Sequence, residues 1–171
     1  MSFVSCKVSN SQNQAESVSY YIPQIETTTL SYEIIDDVVN ISSISFHIPQ
    51  SFKPEPRNGE LWLKSQENTI EISFEEVTGS TNAFDEYIQE TIEYFRQMGL
   101  SPSVVEETYI GNYTAKRFSI DTFDATSSNV KIFCYFIENH KCKIVVNIWS
   151  KNGEIIKSEQ ADKYMEMLEL V

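Results

Sequence analysis

Glycine is scarce in this 171-residue chain, and the five that occur, Gly59, Gly79, Gly99, Gly111 and Gly153, stand far apart. A phosphate-cradling or dinucleotide-binding loop needs several glycines within a few positions, so neither is expected and no cofactor is implied. No serine is framed as Gly-x-Ser-x-Gly, which excludes the usual nucleophile elbow. Histidine is scarcer still, with only His47 and His140 available to serve a nucleophile as base. Basic residues number 13 against 25 acidic ones, a net charge of −12. Phosphate backbones demand clustered Lys and Arg, so nucleic acid is not the expected partner. No apolar run approaches the roughly 18 residues of a membrane-spanning helix. No charged start followed by an apolar stretch marks a signal peptide. Three cysteines, Cys6, Cys134 and Cys142, do not form a disulfide framework.

Aromatics, by contrast, are plentiful: 10 Phe, 9 Tyr and 2 Trp, or 12% of the chain, a bias toward strands. They concentrate in the stretch from Val130 to Trp149, which reads as two long strands joined at Asn139-His140. A two-residue turn there would set Glu138 opposite Lys141. Sorting by the strand period of two gives one nearly continuous apolar face of Phe133, Tyr135, Ile137, Cys142, Ile144, Val146 and Ile148. The second face carries Val130, Ile132, Cys134, Phe136, Val145 and Trp149, broken by Lys143 and Asn147. That face is too apolar for free water. Two covers are open: the C-terminal helix of this chain, or a helix or strand of a partner seated in an exposed groove.

Residues 1–18 are polar and low in core-forming types, the composition of a flexible tail. Phe3-Val4-Ser5-Cys6 resembles the end of a bacterial lipoprotein signal, which makes Cys6 a candidate lipid anchor. If Met1 is the native start, the chain is expected in the cytoplasm; a lipidated Cys6 would put it at the cell surface. From Ser19 the chain reads as one domain to residue 171. Tyr20–Ile25, Leu30–Ile35, Ile44–Ile48, Glu60–Lys64 and Thr69–Val77 read as strands, with Pro54–Gly59 a turn-rich loop. A helix is expected from a cap at Asn82 to a stop at Gly99, with Phe84, Tyr87, Ile88, Thr91, Phe95 and Met98 on its inner stripe. Val104–Ile110 and Tyr113–Ile120 follow as strands, then a polar loop over Asp121–Asn129. A last helix is expected over Ser158–Leu168, facing inward through Ala161, Tyr164, Met165 and Leu168. The order of strands, helix, strands, helix with tight hairpins is that of an α+β fold with a mainly antiparallel sheet.

Three stretches together have a familiar layout. They are Ile44-Ser45-Phe46-His47-Ile48-Pro49-Gln50-Ser51-Phe52, the helical segment Phe84 to Met98, and Ile110-Gly111-Asn112-Tyr113-Thr114-Ala115-Lys116-Arg117-Phe118. Over about residues 41–171 the chain resembles the PsbP-like superfamily, which includes the DcrB proteins, the Eag chaperones and the Ran-binding Mog proteins. That resemblance implies a curved antiparallel sheet flanked by helices, an α-β-α sandwich used to bind proteins and not to catalyse reactions. It carries no functional residues over, because it is a pattern of elements and not a catalytic signature.

Clusters that invite chemistry have bland readings. His140, Cys142 and Cys134 have the wrong spacing for zinc, so no metal is expected. Asp121 and Asp124 miss the calcium-loop spacing, and His47 reads as a surface residue. Glu75-Glu76 and Glu106-Glu107 read as exposed strand ends. The expected activity is therefore non-enzymatic: a protein-binding or adaptor domain, of chaperone or immunity type, whose partner is basic or a hydrophobic helix. The candidate contact residues are Ile132, Phe136, Val145 and Trp149, joined by Trp62, with Phe123 as a second contact. The alternative is a bacterial surface lipoprotein anchored at Cys6 that binds an extracytoplasmic ligand.

Overall fold

A computed structural model describes residues 31–41, 44–57, 60–77, 81–111, 113–123, 128–138, 143–155 and 157–170. The tail, Cys6, the expected strand Tyr20–Ile25, the turn at Asn139-His140 and Cys142 lie outside these residues.

The described residues form an α+β fold of two antiparallel sheets and two helices. β1 (Tyr32–Ile35), β2 (Val38–Ile41), β3 (Ile44–His47) and β11 (Leu168–Leu170) make a small sheet in the order β1-β2-β3-β11. The large sheet contains β4 (Phe52–Pro54), β5 (Trp62–Ser65), β6 (Ile70–Glu76), β7 (Glu106–Ile110), β8 (Tyr113–Phe123), β9 (Asn129–Glu138) and β10 (Lys143–Lys151). Its order is β4-β5-β6-β10-β9-β8-β7, so the β9–β10 hairpin lies at its middle. Helix α1 (Thr81–Gln97) joins β6 to β7, and α2 (Ser158–Met165) follows β10.

The expected faces of the hairpin hold, although its register does not. Lys143, not Lys141, pairs with Glu138, so four residues separate the paired strand ends. The favoured two-residue turns need positive φ at one or both central positions, and Asn-His supplies no glycine for them. A slip of two residues leaves every side chain on its face, because the strand period is two.

Each face has its own core. Phe133, Tyr135, Ile137, Ile144, Val146 and Ile148 are buried against Val39, Ile41, Ile44 and Phe46 of the small sheet and Ala161 and Met165 of α2. Phe46 meets Phe74 of β6 edge-on, with ring centroids 5.2 Å apart. Asp162 of α2 ties the helix to the sheet, accepting hydrogen bonds from Arg117 of β8 and from the Tyr135 hydroxyl at 2.7 Å. On the opposite face Val130, Ile132, Cys134, Phe136 and Val145 are buried with Phe118 and Ile120 beneath Phe84, Ile88 and Ile92 of α1. The cover of this second face is therefore α1, and the expectation that the C-terminal helix lies there is corrected. The reason is connectivity: α2 leaves β10 toward the small sheet, which it joins through β11.

Helix α1 ends where Gly99 requires it to. Gly99 sits at φ +79°, its N–H donates to Arg96 at 2.9 Å, and Leu100 N–H donates to Phe95 at 3.0 Å. This pair of bonds is the Schellman ending, whose left-handed residue favours glycine. Ile92, absent from the expected stripe, is buried, whereas Met98 at the frayed end is 40% exposed. Thr81 is already helical, so the helix starts before Asn82 and that residue is not its cap. Three strands went unread in the sequence. β2 follows a hairpin turn at Asp36-Asp37, where φ is 46° and 65°. β4 lies partly in the expected turn region, and β11 takes Leu168 from the expected helix. β8 runs on through Asp121 to Phe123, into the expected loop.

Truncating Phe46, which fills the space between the two sheets, is expected to be costly. Phe46→Ala should lower the unfolding free energy by about 3–5 kcal/mol, measured by urea denaturation.

Candidate functional site

Among the described residues, α1 covers only part of one face of the large sheet. The buried stripe of α1 packs over β8, β9 and β10, so the β5–β6 end of that face carries tryptophans and charged groups in place of a helix. Period-two alternation and the register place Trp62, Lys64, Glu71, Ser73, Glu75, Asn147 and Trp149 on this face. Trp62 and Trp149 meet with ring centroids 5.7 Å apart. Trp62 Nε1 donates to Glu60 at 3.1 Å, and Trp149 Nε1 reaches the Ser73 hydroxyl at 3.4 Å. The Arg57 guanidinium lies 4.7 Å from the Trp62 ring centre and bonds Glu55 at 2.9 Å and Glu71 at 3.1 Å. Lys151 is a second hydrogen-bond partner for Glu71, also at 3.1 Å. Burial pushes the Glu71 carboxyl up, but the bonds from Arg57 and Lys151 outweigh it and hold the group below its ordinary range. Arg57 over its ring and Glu60 at its indole N–H together hold the Trp62 side chain.

Beside this platform a cavity of about 270 Å³ opens between α1 and the sheet. Helix α1 supplies Tyr87, Glu90, Thr91, Tyr94 and Phe95. The sheet supplies Ile132, Cys134, Phe136, Val145 and Trp149 as an apolar floor, with Glu75 and Asn147 as polar points. Sequence reading misplaced Glu75, which like Glu76 is half-buried and not an exposed strand end. Its Oε1 accepts a 2.8 Å hydrogen bond from the Tyr87 hydroxyl. Burial raises its pKa above the ordinary carboxylate value, Tyr87 pulls the other way, and nearby Glu60 adds to the rise. The signal was present: Glu75 shares the period-two face of Ser73, and Tyr87 lies on the helical stripe. Burial likewise pushes the Cys134 thiol up, so at neutral pH it is a packed thiol and not a nucleophile. Among the described residues, no group of three or more His, Cys, Asp or Glu could hold a metal ion. No described helix is long and apolar enough to cross a membrane.

The six candidate contact residues have three different fates. Ile132, Phe136 and Val145 lie beneath α1, so the strip is not an open groove for a foreign helix. Phe136 is 2% exposed and touches the rings of Phe84, Tyr87 and Phe118. Trp149 and Trp62 are half-buried and adjacent, as the joining of Trp62 to the strip requires. Phe123 pairs with Asn129 at the end of β8, which sets it on the opposite sheet face at 68% exposure. It does not join the other five. Strand parity decides this, since Phe118 and Ile120 face α1 and odd positions of β8 face away.

No family model matches the sequence, and no curated protein matches it. Among solved structures, the chain is similar to a protein from Bacteroides thetaiotaomicron, with a TM-score of 0.55 and 10% identity over 75% of this chain. The match spans 45% of that protein, so this chain corresponds to less than half its length. A protein of unknown function from Pseudomonas aeruginosa, PA94, matches at a TM-score of 0.48 and 11% identity, over 80% of this chain and 94% of its own. The likeness to the Bacteroides protein shows a shared fold and nothing about activity.

Two outcomes follow from this geometry. Phe136→Asp should leave the chain unfolded, because it buries a charge among three aromatic rings; far-UV and near-UV circular dichroism would show the loss. Glu75 has a folded pKa raised above its unfolded value, so its contribution to stability is full at low pH and is lost as pH rises through the folded pKa. Glu75→Gln keeps an acceptor for Tyr87 and removes this loss. The variant should therefore gain on the wild type as pH rises above the ordinary carboxylate range, read from urea midpoints at each pH.

Proposed function

We propose that the chain is a non-enzymatic protein-binding or adaptor domain that engages its partner through the part of the large sheet that α1 leaves open. The carrying observation is the Trp62–Trp149 pair, held on that face by Arg57, Glu60 and Ser73. Tryptophan and arginine are the residue types most enriched at binding hot spots, where a rigid ring set in a polar rim excludes water from a partner's apolar side chain. A net charge of −12 favours a partner segment that carries basic side chains among apolar ones, since opposite charge steers encounter. The resemblance of residues 41–171 to the PsbP-like superfamily supports the same reading and is itself part of the proposal.

A photo-crosslinking side chain at position 62, compared with one at Phe123 on the opposite face, tests it in the native cell. The adduct specific to position 62 is identified, and the purified partner is titrated against the purified domain. Trp62→Ala should weaken that affinity about 30-fold or more, as hot-spot truncations do, and Phe123→Ala should not. Equal affinities for wild type and Trp62→Ala, or no adduct specific to position 62, would overturn the reading.

A further inference from the structure

The cavity under α1 has an uncommon combination of walls. Tyr87, Tyr94, Phe95, Phe136 and Trp149 give it five aromatic side chains, and Glu75 and Glu90 give it two carboxyl groups. No Lys, Arg or His is among its described lining residues. Among the described residues Glu75 forms no ion pair, and its hydrogen-bond partner there is the neutral Tyr87 hydroxyl. The described cations on that side of the sheet pair with other acids, Arg57 and Lys151 with Glu71 and Lys143 with Glu138. A half-buried carboxyl without a cation, set among aromatic rings, is electrostatically incomplete. Ring faces are the negative pole of the aromatic quadrupole and attract cations, Trp and Tyr most strongly. An anion would meet two carboxyl groups and no donor cation; a neutral apolar guest would leave Glu75 unpaired and further desolvated.

We propose that this cavity is a binding site for a small organic ammonium ion, held by Glu75 within and Glu90 at the rim against the aromatic walls. Size permits it: an apolar cavity of about 150 Å³ already accepts benzene, and this one offers about 270 Å³. An alkylammonium ion matches the site at both levels, since its methyl or methylene groups bury against Ile132 and Val145 while its charge is shared by the rings and Glu75. The net charge of −12 raises the local concentration of any such cation. The site does not require the protein-binding reading, and it is tested on the purified domain with no partner present.

Choline and its uncharged carbon isostere 3,3-dimethylbutan-1-ol differ in charge and hardly in shape. Calorimetric titration of each, with Trp fluorescence as a second readout from Trp149, separates charge recognition from simple apolar filling. Choline should bind more than about tenfold tighter than the alcohol, the margin a desolvated cation–π and carboxylate site provides. Glu75→Gln should remove most of that margin and leave the alcohol's affinity unchanged. Tyr94→Leu, on the half-buried outer wall, should weaken choline and not the alcohol, which guards against a folding defect in either variant. Equal binding of the two compounds, no choline binding up to about 10 mM, or choline affinity indifferent to Glu75→Gln would each overturn the proposal.

Discussion

The double-sided burial of the β9–β10 hairpin is the constraint on which the remaining architecture depends. Both faces of these two strands are apolar, and a sheet face of large aromatic and branched side chains cannot be left in water. Burying six such side chains on one face alone is worth roughly 10–15 kcal/mol at about 2 kcal/mol each, as large as the net stability of a whole domain. Each face therefore needs a cover. Helix α1 supplies one; the small sheet and α2 supply the other. The hairpin's central position follows, because strands buried on both sides belong inside a sheet and not at its edge.

The candidate site arises where one of these covers stops. Helix α1 is 17 residues long and packs tightly only where Phe84, Ile88 and Ile92 meet β8, β9 and β10. Toward β6 its partners are Glu75, Asn147 and Trp149, polar or too large to close against it, and a cavity remains. Beyond it the sheet face is finished by a charged lattice of Arg57, Glu55, Glu71 and Lys151 around Trp62. The platform and the cavity thus share Trp149.

How much of this could be read beforehand varies by element. The α+β class, both helices and the two faces of the hairpin were legible, because period 2 and period 3.6 are written directly in residue order. Gly99 announced the end of α1 through its backbone freedom. The short strands β2, β4 and β11 were not legible. Each has three or four residues, too few for a period to show, and each is stabilised by pairing with distant chain. Of the site, Trp149, Trp62 and the strip Ile132–Phe136–Val145 were found from alternation alone. Glu75 was misread because a carboxylate at a strand end is usually solvated; its burial depends on a tyrosine twelve positions on, brought over by the helix.

Residue order by itself determined the local periods, the glycine that ends α1, the acidic charge and the faces on which side chains fall. These are properties of neighbours within a few positions, fixed by backbone geometry and composition. Which helix covers which face, that two sheets and not one enclose the core, that Phe123 lies opposite Trp62, and that Glu75 faces a cavity were decided only in the tertiary structure. These depend on where long-range pairing puts whole elements, and a sequence pattern that says a face must be buried does not say by what.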